Sequence, residues 1–172
     1  LSAFNLGALE DLDELENLSD LAVRALDALL DYQDYPIPAA RKATMNRRTL
    51  GIGVINYAYY LAKHGVRYSN DSALALTHRT FEAMQYYLLK ASVQLAKEYG
   101  ACPLFGQTMY AKGVLPIDTY KKDLDSICSE PLHYDWEELR AEIVQHGLRN
   151  STLTALMPSE TSSQIANATN GI

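Results

Sequence analysis

The chain has 172 residues, 48% hydrophobic and 21% charged, enough apolar material for the core of one soluble globular domain. Its net charge of -6 argues against nucleic acid or an anionic membrane as partner, since such surfaces are held by an excess of Lys and Arg. No apolar run reaches the roughly 18 residues of a membrane span, and no signal-peptide pattern opens the chain, so a cytoplasmic location is expected.

The first residues, Leu1 to Gly7, form a short apolar stretch closed by a glycine and are expected to be a strand. From about Leu12 to Tyr32, residues Leu12, Leu15, Leu18, Ala22, Ala25, Leu26, Leu29 and Leu30 recur at three-and-four spacing. Asp11, Asp13 and Glu14 sit where a helix N-terminus favours acids, so this is an amphipathic helix. Tyr35-Pro36-Ile37-Pro38 stops it. The basic run Arg41, Lys42, Arg47, Arg48 that follows is expected to be a solvated loop.

Residues Thr49 to Lys63 are apolar on most faces and end at His64-Gly65, the pattern of a buried helix. Gly51 and Gly53 each cost about 1 kcal/mol in a helix interior, so they are expected to permit close packing or the approach of a ligand. A long helix is expected from about Ser72 to Tyr99, with Leu76, Thr80, Ala83, Met84, Tyr87, Leu88, Ala91 and Leu95 on one side and Gly100 as terminator.

Ala101 to Pro131, punctuated by prolines and glycines, should be surface connection with short helical turns such as Thr119 to Ile127. Asp135 to His146 is a further helix with Trp136, Leu139, Ile143 and Val144 inward. Asn150 to Met157, rich in Thr and Leu and stopped by Pro158, suits a buried strand emptying into a loop.

That loop carries the chemistry. Residues 158–164, Pro-Ser-Glu-Thr-Ser-Ser-Gln, place four hydroxyl side chains where a helix running to about Asn167 opens. The first turn of a helix leaves amide groups unpaired and carries a partial positive charge, which suits phosphate. A second reading stands beside it, because Thr161 and Gln164 have the spacing of a capping box, which binds nothing. The carboxylate of Glu160 would repel a phosphate unless it turned away. The four histidines, His64, His78, His133 and His146, are scattered without acids at metal-ligand spacing; His64 and His146 suit helix C-termini. Cys102 and Cys128 lack a Cys-x-x-Cys or histidine context and are expected to be buried thiols; the twelve tyrosines are expected to pack.

Three ordered strings narrow the reading: Leu1 to Gly7; Arg47-Arg48-Thr49-Leu50-Gly51-Ile52-Gly53-Val54; and Leu148-Arg149-Asn150-Ser151-Thr152 running through Met157 to Gln164 and on to Asn170-Gly171. With Leu29 to Pro36 and Pro116 to Lys122, they make the whole chain resemble the large, substrate-binding subunit of aerobic class I ribonucleotide reductase, in its enterobacterial and phage form. The resemblance implies an α/β fold in which residues 1–172 are a single partial domain, a mostly helical slice of a ten-stranded α/β barrel with short strands near its ends. It implies that Pro158, Ser159, Glu160, Thr161 and Ser162 receive the diphosphate of a ribonucleoside diphosphate through backbone amides and hydroxyls, with Met157 lining the pocket. The substrate would be reduced at its 2′ position by a radical mechanism. The family's Asn-x-Cys-x-Glu string does not occur here, one reductant cysteine would fall just before Leu1, and Cys102 and Cys128 match no redox position. The segment would therefore supply no catalytic residue and bind no cofactor or metal. The full enzyme would need a metal-containing, radical-generating small subunit, thioredoxin or glutaredoxin as reductant, ATP and deoxynucleotide effectors, and the remaining segments of the large subunit. The alternative is a stand-alone helical protein-interaction module with no nucleotide site.

Overall fold

The computed structural model describes all residues from Leu1 to Ile172. Two short strands, β1 (Ser2–Asn5) and β2 (Ile52–Ile55), pair in parallel with Ser2 opposite Ile52 and Asn5 opposite Ile55. Between them run α1 (Glu14–Tyr32) and α2 (Pro38–Arg47). After β2 come α3 (Tyr57–Lys63), the long α4 (Asp71–Tyr99), four 3-10 turns between Phe105 and Ser126, α5 (Trp136–His146) and the short α6 (Glu160–Ile165).

The Thr49–Lys63 helix expected from sequence is corrected to β2 followed by α3. Ile52, Val54 and Ile55 are β-branched, and β2 is buried on both faces, so its continuous apolar run reads like a helix while behaving as an inner parallel strand. On its second edge lies the stretch 152–155. Leu50 N–H donates to Thr152 O at 2.8 Å, Ile52 N–H to Leu153 O at 2.8 Å, and Ala155 N–H to Ile52 O at 3.0 Å. The buried strand expected over Asn150–Met157 is therefore corrected to a short stretch, 152–155, joined to β2 by a single parallel bridge, Ile52–Thr154; of its residues only Leu153 is buried, because the pairing stops after Ala155. Gly53 is the packing glycine: a Cβ there would lie 2.3 Å from Ala155 O and 2.9 Å from Met157 Sδ.

Glu14 stabilises the start of α1 by accepting from the amides of Glu10 (2.9 Å) and Asp11 (3.1 Å). Its most buried stripe is Leu15, Ser19, Val23 and Asp27; Ala25 and Leu29, expected inward, are exposed. The displacement follows from Asp27, which is drawn inward to meet Arg48. The basic run is solvated, as expected, at Arg41, Lys42 and Arg47, but these lie on the helix α2 rather than in a loop, and Arg48 is buried. Pro38 opens α2 at a position where its missing N–H is no loss, and Arg48 ends it in left-handed conformation (φ 47°) with its side chain buried.

Arg48 Nε is 2.7 Å from Asp27 Oδ1, and an Nη atom is 2.6 Å from Asp31. Arg149 Nε lies 3.1 Å from Asp27, and Asn150 Nδ2 donates to both Asp27 (2.9 Å) and Arg48 O (3.0 Å). Ser92 on α4 bonds Asn150, so one polar hub ties α1, α2, α4 and the 149–150 segment together. Burial opposes the Arg48 charge, but bonds from Asp31 and Asp27 outweigh it and hold the guanidinium pKa above its ordinary value.

The helix α4 is the central pillar, packed on α1 and α5. Its expected stripe is buried from Thr80 to Leu95, and Glu82, Leu89, Ser92 and Val93 are buried too, because neighbours cover more than one face. Asp135 caps α5 by accepting from Glu138 N–H at 2.9 Å; Trp136, Leu139 and Ile143 face inward, whereas Val144 is exposed. The 101–131 connection is not wholly superficial, since Cys102 and Leu115 are buried; Cys128 is only half-buried.

Candidate functional site

The site lies where 152–155 leaves the sheet, at the carboxyl end of parallel strands, the place where ligands bind in α/β folds. The pairing ends after Ala155, and Pro158, which has no N–H to donate, cannot resume it. Ser159 (φ -120°, ψ 44°) takes the N-cap position, and the chain turns into α6.

Ser159 N–H donates to the side-chain oxygen of Asn170 at 2.6 Å. Ser163 N–H closes the first turn on Ser159 O at 2.8 Å, leaving the amides of Glu160, Thr161 and Ser162 at the open end of the helix without an intrahelical acceptor. A surface hollow is lined by Pro158, Ser159, Glu160, Thr161, Ser162 and Ile165, so the five residues expected to form the site are brought together. Met157 does not line this hollow; it lines a second one, with Val54, Leu156, Pro158, Asn170, Gly171 and Ile172.

Three of the four hydroxyls donate to carbonyls of the turn itself rather than standing free for a ligand. Ser162 Oγ donates to Ser159 O at 3.2 Å, Ser163 Oγ to Glu160 O at 3.0 Å, and Ser159 Oγ lies 3.4 Å from Met157 O. Three hydroxyls thus brace the turn, while Thr161 is exposed. The Thr161–Gln164 capping box does not form, because Thr161 is inside the helix rather than at its cap. The end of the segment is fastened by residues that the sequence did not single out. Asn56, left-handed at φ 67°, donates its N–H to Thr169 O at 2.8 Å, accepts from Thr169 N–H at 3.1 Å, and donates through Nδ2 to Asn5 Oδ1 at 2.9 Å. The one local signal was an asparagine directly after a strand, a residue type that tolerates the left-handed conformation.

Elsewhere, His64 Nδ1 sits 2.8 Å from Tyr60 O at the end of α3, and His146 closes α5, as helix-end histidines should. His133 departs from expectation by meeting two acids, Glu82 at 3.1 Å and Glu130 at 3.5 Å. Burial pushes the Cys102 thiol up, which makes it unreactive. The tyrosines pack only in part: Tyr57, Tyr60 and Tyr87 are buried and Tyr86 is stacked on Tyr134 and edge-on to Trp136, whereas Tyr32, Tyr59, Tyr68, Tyr99 and Tyr120 are exposed, against the expectation.

The family described as the ribonucleotide reductase barrel domain matches residues 1–172. The chain belongs to that family. This ribonucleotide reductase barrel segment is 77% identical, over all of its length, to the ribonucleoside-diphosphate reductase subunit alpha of Haemophilus influenzae. Over 83% of its length it is 78% identical to ribonucleoside-diphosphate reductase 1 subunit alpha of Escherichia coli. Over 99% of its length it is 49% identical to the subunit alpha of Enterobacteria phage T4. It spans 23%, 19% and 22% of these relatives. No helix of the reductase segment is long and apolar enough to cross a membrane.

Proposed function

We propose that residues 158–162 hold the diphosphate of a ribonucleoside diphosphate, and that the segment works as the phosphate cradle and part of the barrel wall of a cytoplasmic ribonucleotide reductase large subunit. The observation that carries the reading is the turn after Pro158: Glu160, Thr161 and Ser162, whose amides have no intrahelical acceptor, line the hollow, while Ser159 N–H is already bonded to Asn170. Backbone donors fixed by their own helix lose little entropy on meeting an anion, and the exposed Thr161 hydroxyl adds a further donor.

The segment's part in the reaction is to bind and orient. Fixing the diphosphate at the strand ends holds the ribose at a set distance from the barrel interior, where thiols supplied by other parts of the subunit would reduce the 2′ position. There a cysteinyl radical would take a hydrogen atom and a cysteine pair would supply the electrons. Cys102 and Cys128 are assigned no redox role. The full enzyme would further require the radical-generating, metal-containing small subunit, thioredoxin or glutaredoxin, and ATP or deoxynucleotide effectors.

The test is Thr161→Asp and Ser159→Asp in the complete subunit. A carboxylate about 4 Å from a phosphate adds roughly 1–4 kcal/mol of repulsion, so the dissociation constant for cytidine diphosphate should rise about five-fold or more. Unchanged affinity in both variants would sink the assignment.

A further inference from the structure

Resting on the phosphate-cradle reading, we infer that Asn170 and Asn56 are positioning residues that set the conformation of the cradle. Asn170 takes up the Ser159 amide at 2.6 Å, the donor nearest the open end that the helix itself cannot satisfy. With that amide occupied, Ser159 O receives Ser163 N–H and Ser162 Oγ, and the next three residues, whose amides have no intrahelical acceptor, line the hollow. An unattached Ser159 would leave the loop free to rotate about Pro158.

Asn170 is held in turn by its neighbour. Thr169 is gripped at both its N–H and its carbonyl by Asn56, and Asn56 reaches Asn5 at the end of β1. Space for this is reserved at Gly7, where a Cβ would come within 2.3 Å of Asn56 Nδ2. The ends of β1 and β2 therefore reach the phosphate turn through Asn5, Asn56, Thr169, Asn170 and Ser159, five residues drawn from four separate stretches of chain. Thr169 carries the step from Asn56 to Asn170 through the backbone.

The test uses the complete reductase with its small subunit and measures KM, kcat and the cytidine diphosphate dissociation constant for Asn170→Ala, Asn56→Ala and Asn56→Asp, with Thr161→Asp alongside. Losing one hydrogen bond at the cradle should raise KM and the dissociation constant roughly five- to ten-fold while kcat at saturation stays within about two-fold. Asn56→Asp keeps the acceptor for Thr169 N–H and should recover most of the affinity lost in Asn56→Ala. A merely structural role would lower kcat through a smaller active fraction and leave KM unchanged, and that result would overturn the inference. So would wild-type affinity in Asn170→Ala while Thr161→Asp binds weakly, which leaves the cradle reading standing. Wild-type affinity in Thr161→Asp would remove the cradle reading itself, and the inference with it.

Discussion

The carboxylate of Asp27 meets the guanidinium of Arg48 at 2.7 Å, with 7% and 5% of the two side chains exposed. Asp31, the second partner of Arg48, is 58% exposed. The two acids should therefore contribute unequally. Removing one partner of a buried pair destabilises by about 3–5 kcal/mol, whereas exposed pairs contribute up to about 1 kcal/mol. Asp27→Ala also strips Arg149 and Asn150 of an acceptor. Urea unfolding should give a loss of about 3 kcal/mol or more for Asp27→Ala and less than about 1 kcal/mol for Asp31→Ala. Equal losses would mean that the hub is wetter than its geometry indicates.

Glu82 is a second buried carboxylate, and its partners are mostly neutral. Its Oε1 accepts from His133 N–H (2.8 Å), Tyr134 N–H (3.3 Å) and Trp136 Nε1 (3.0 Å), which fastens the segment before α5 to α4. Glu82→Ala leaves several donors unpaired, at about 1–3 kcal/mol each where water cannot reach. Glu82→Gln keeps an oxygen in the same place and should cost only about 1 kcal/mol. Trp136 is the sole tryptophan, so its fluorescence reads the outcome directly. A red-shifted emission in Glu82→Ala and a near-native one in Glu82→Gln are expected.

These two hubs mark where local sequence stops being informative. The helix α4 was legible because its 3.6-residue pattern runs for 29 residues to a glycine, and α5 because Asp135 and Gly147 bracket it. The strand β2 was not, since only the single Asn56 separates Ile52 to Ile55 from the largely apolar Tyr57–Lys63, and only β1 and residues 152–155, distant in sequence, decide that it is extended. Arg48 reads as one more cation in a basic run until Asp27, 21 positions away, is brought beneath it. At the site, the loop itself was legible from its motif. The inward turn of its serines and the reach of Asn170 to Ser159 depend on how the chain folds back, which no spacing rule encodes.

Ser19 is fully buried in α1, and its hydroxyl has no hydrogen-bond partner. A buried hydroxyl that makes no bond carries a desolvation penalty, and alanine is the better helix former. Ser19→Ala should raise stability by about 0.5–1.5 kcal/mol in urea unfolding. Destabilisation would show that the hydroxyl is bonded in solution.

Gly53 sets the distance between β2 and the chain leading to the turn after Pro158. A methyl group there would meet the backbone oxygen of Ala155 at 2.3 Å, and backbone cannot swing aside as a side-chain tip can. Overpacking of this kind costs about 1–3 kcal/mol, and the displaced stretch runs directly into Met157 and Pro158. Gly53→Ala should lower both stability and cytidine diphosphate affinity in the complete subunit. Gly106→Ala, with open space around its Cβ position, should change neither. If Gly53→Ala lost stability and kept full affinity, the turn would be set independently of the strand.

Acid should loosen the α1–α4 contact through Glu98. Its bond from Arg24, aided by Gln94, holds its carboxyl down at about 2, against an ordinary value of 4.5; Asp31 is lowered by Arg48, and Asp118 by Arg140. The folded pKa is the depressed one, so the stability these pairs contribute is fully present above pH 4.5 and is lost as pH falls from there toward 2. Arg24→Ala removes the cause for Glu98 and should make the decline in stability between pH 4.5 and 2 shallower, with little change in slope near neutrality. Because the Arg24–Glu98 pair is partly exposed, 1 M salt should shrink the difference between wild type and variant. Parallel pH profiles at low salt would show that Glu98 titrates freely, and that the Arg24 pair adds nothing to the α1–α4 contact.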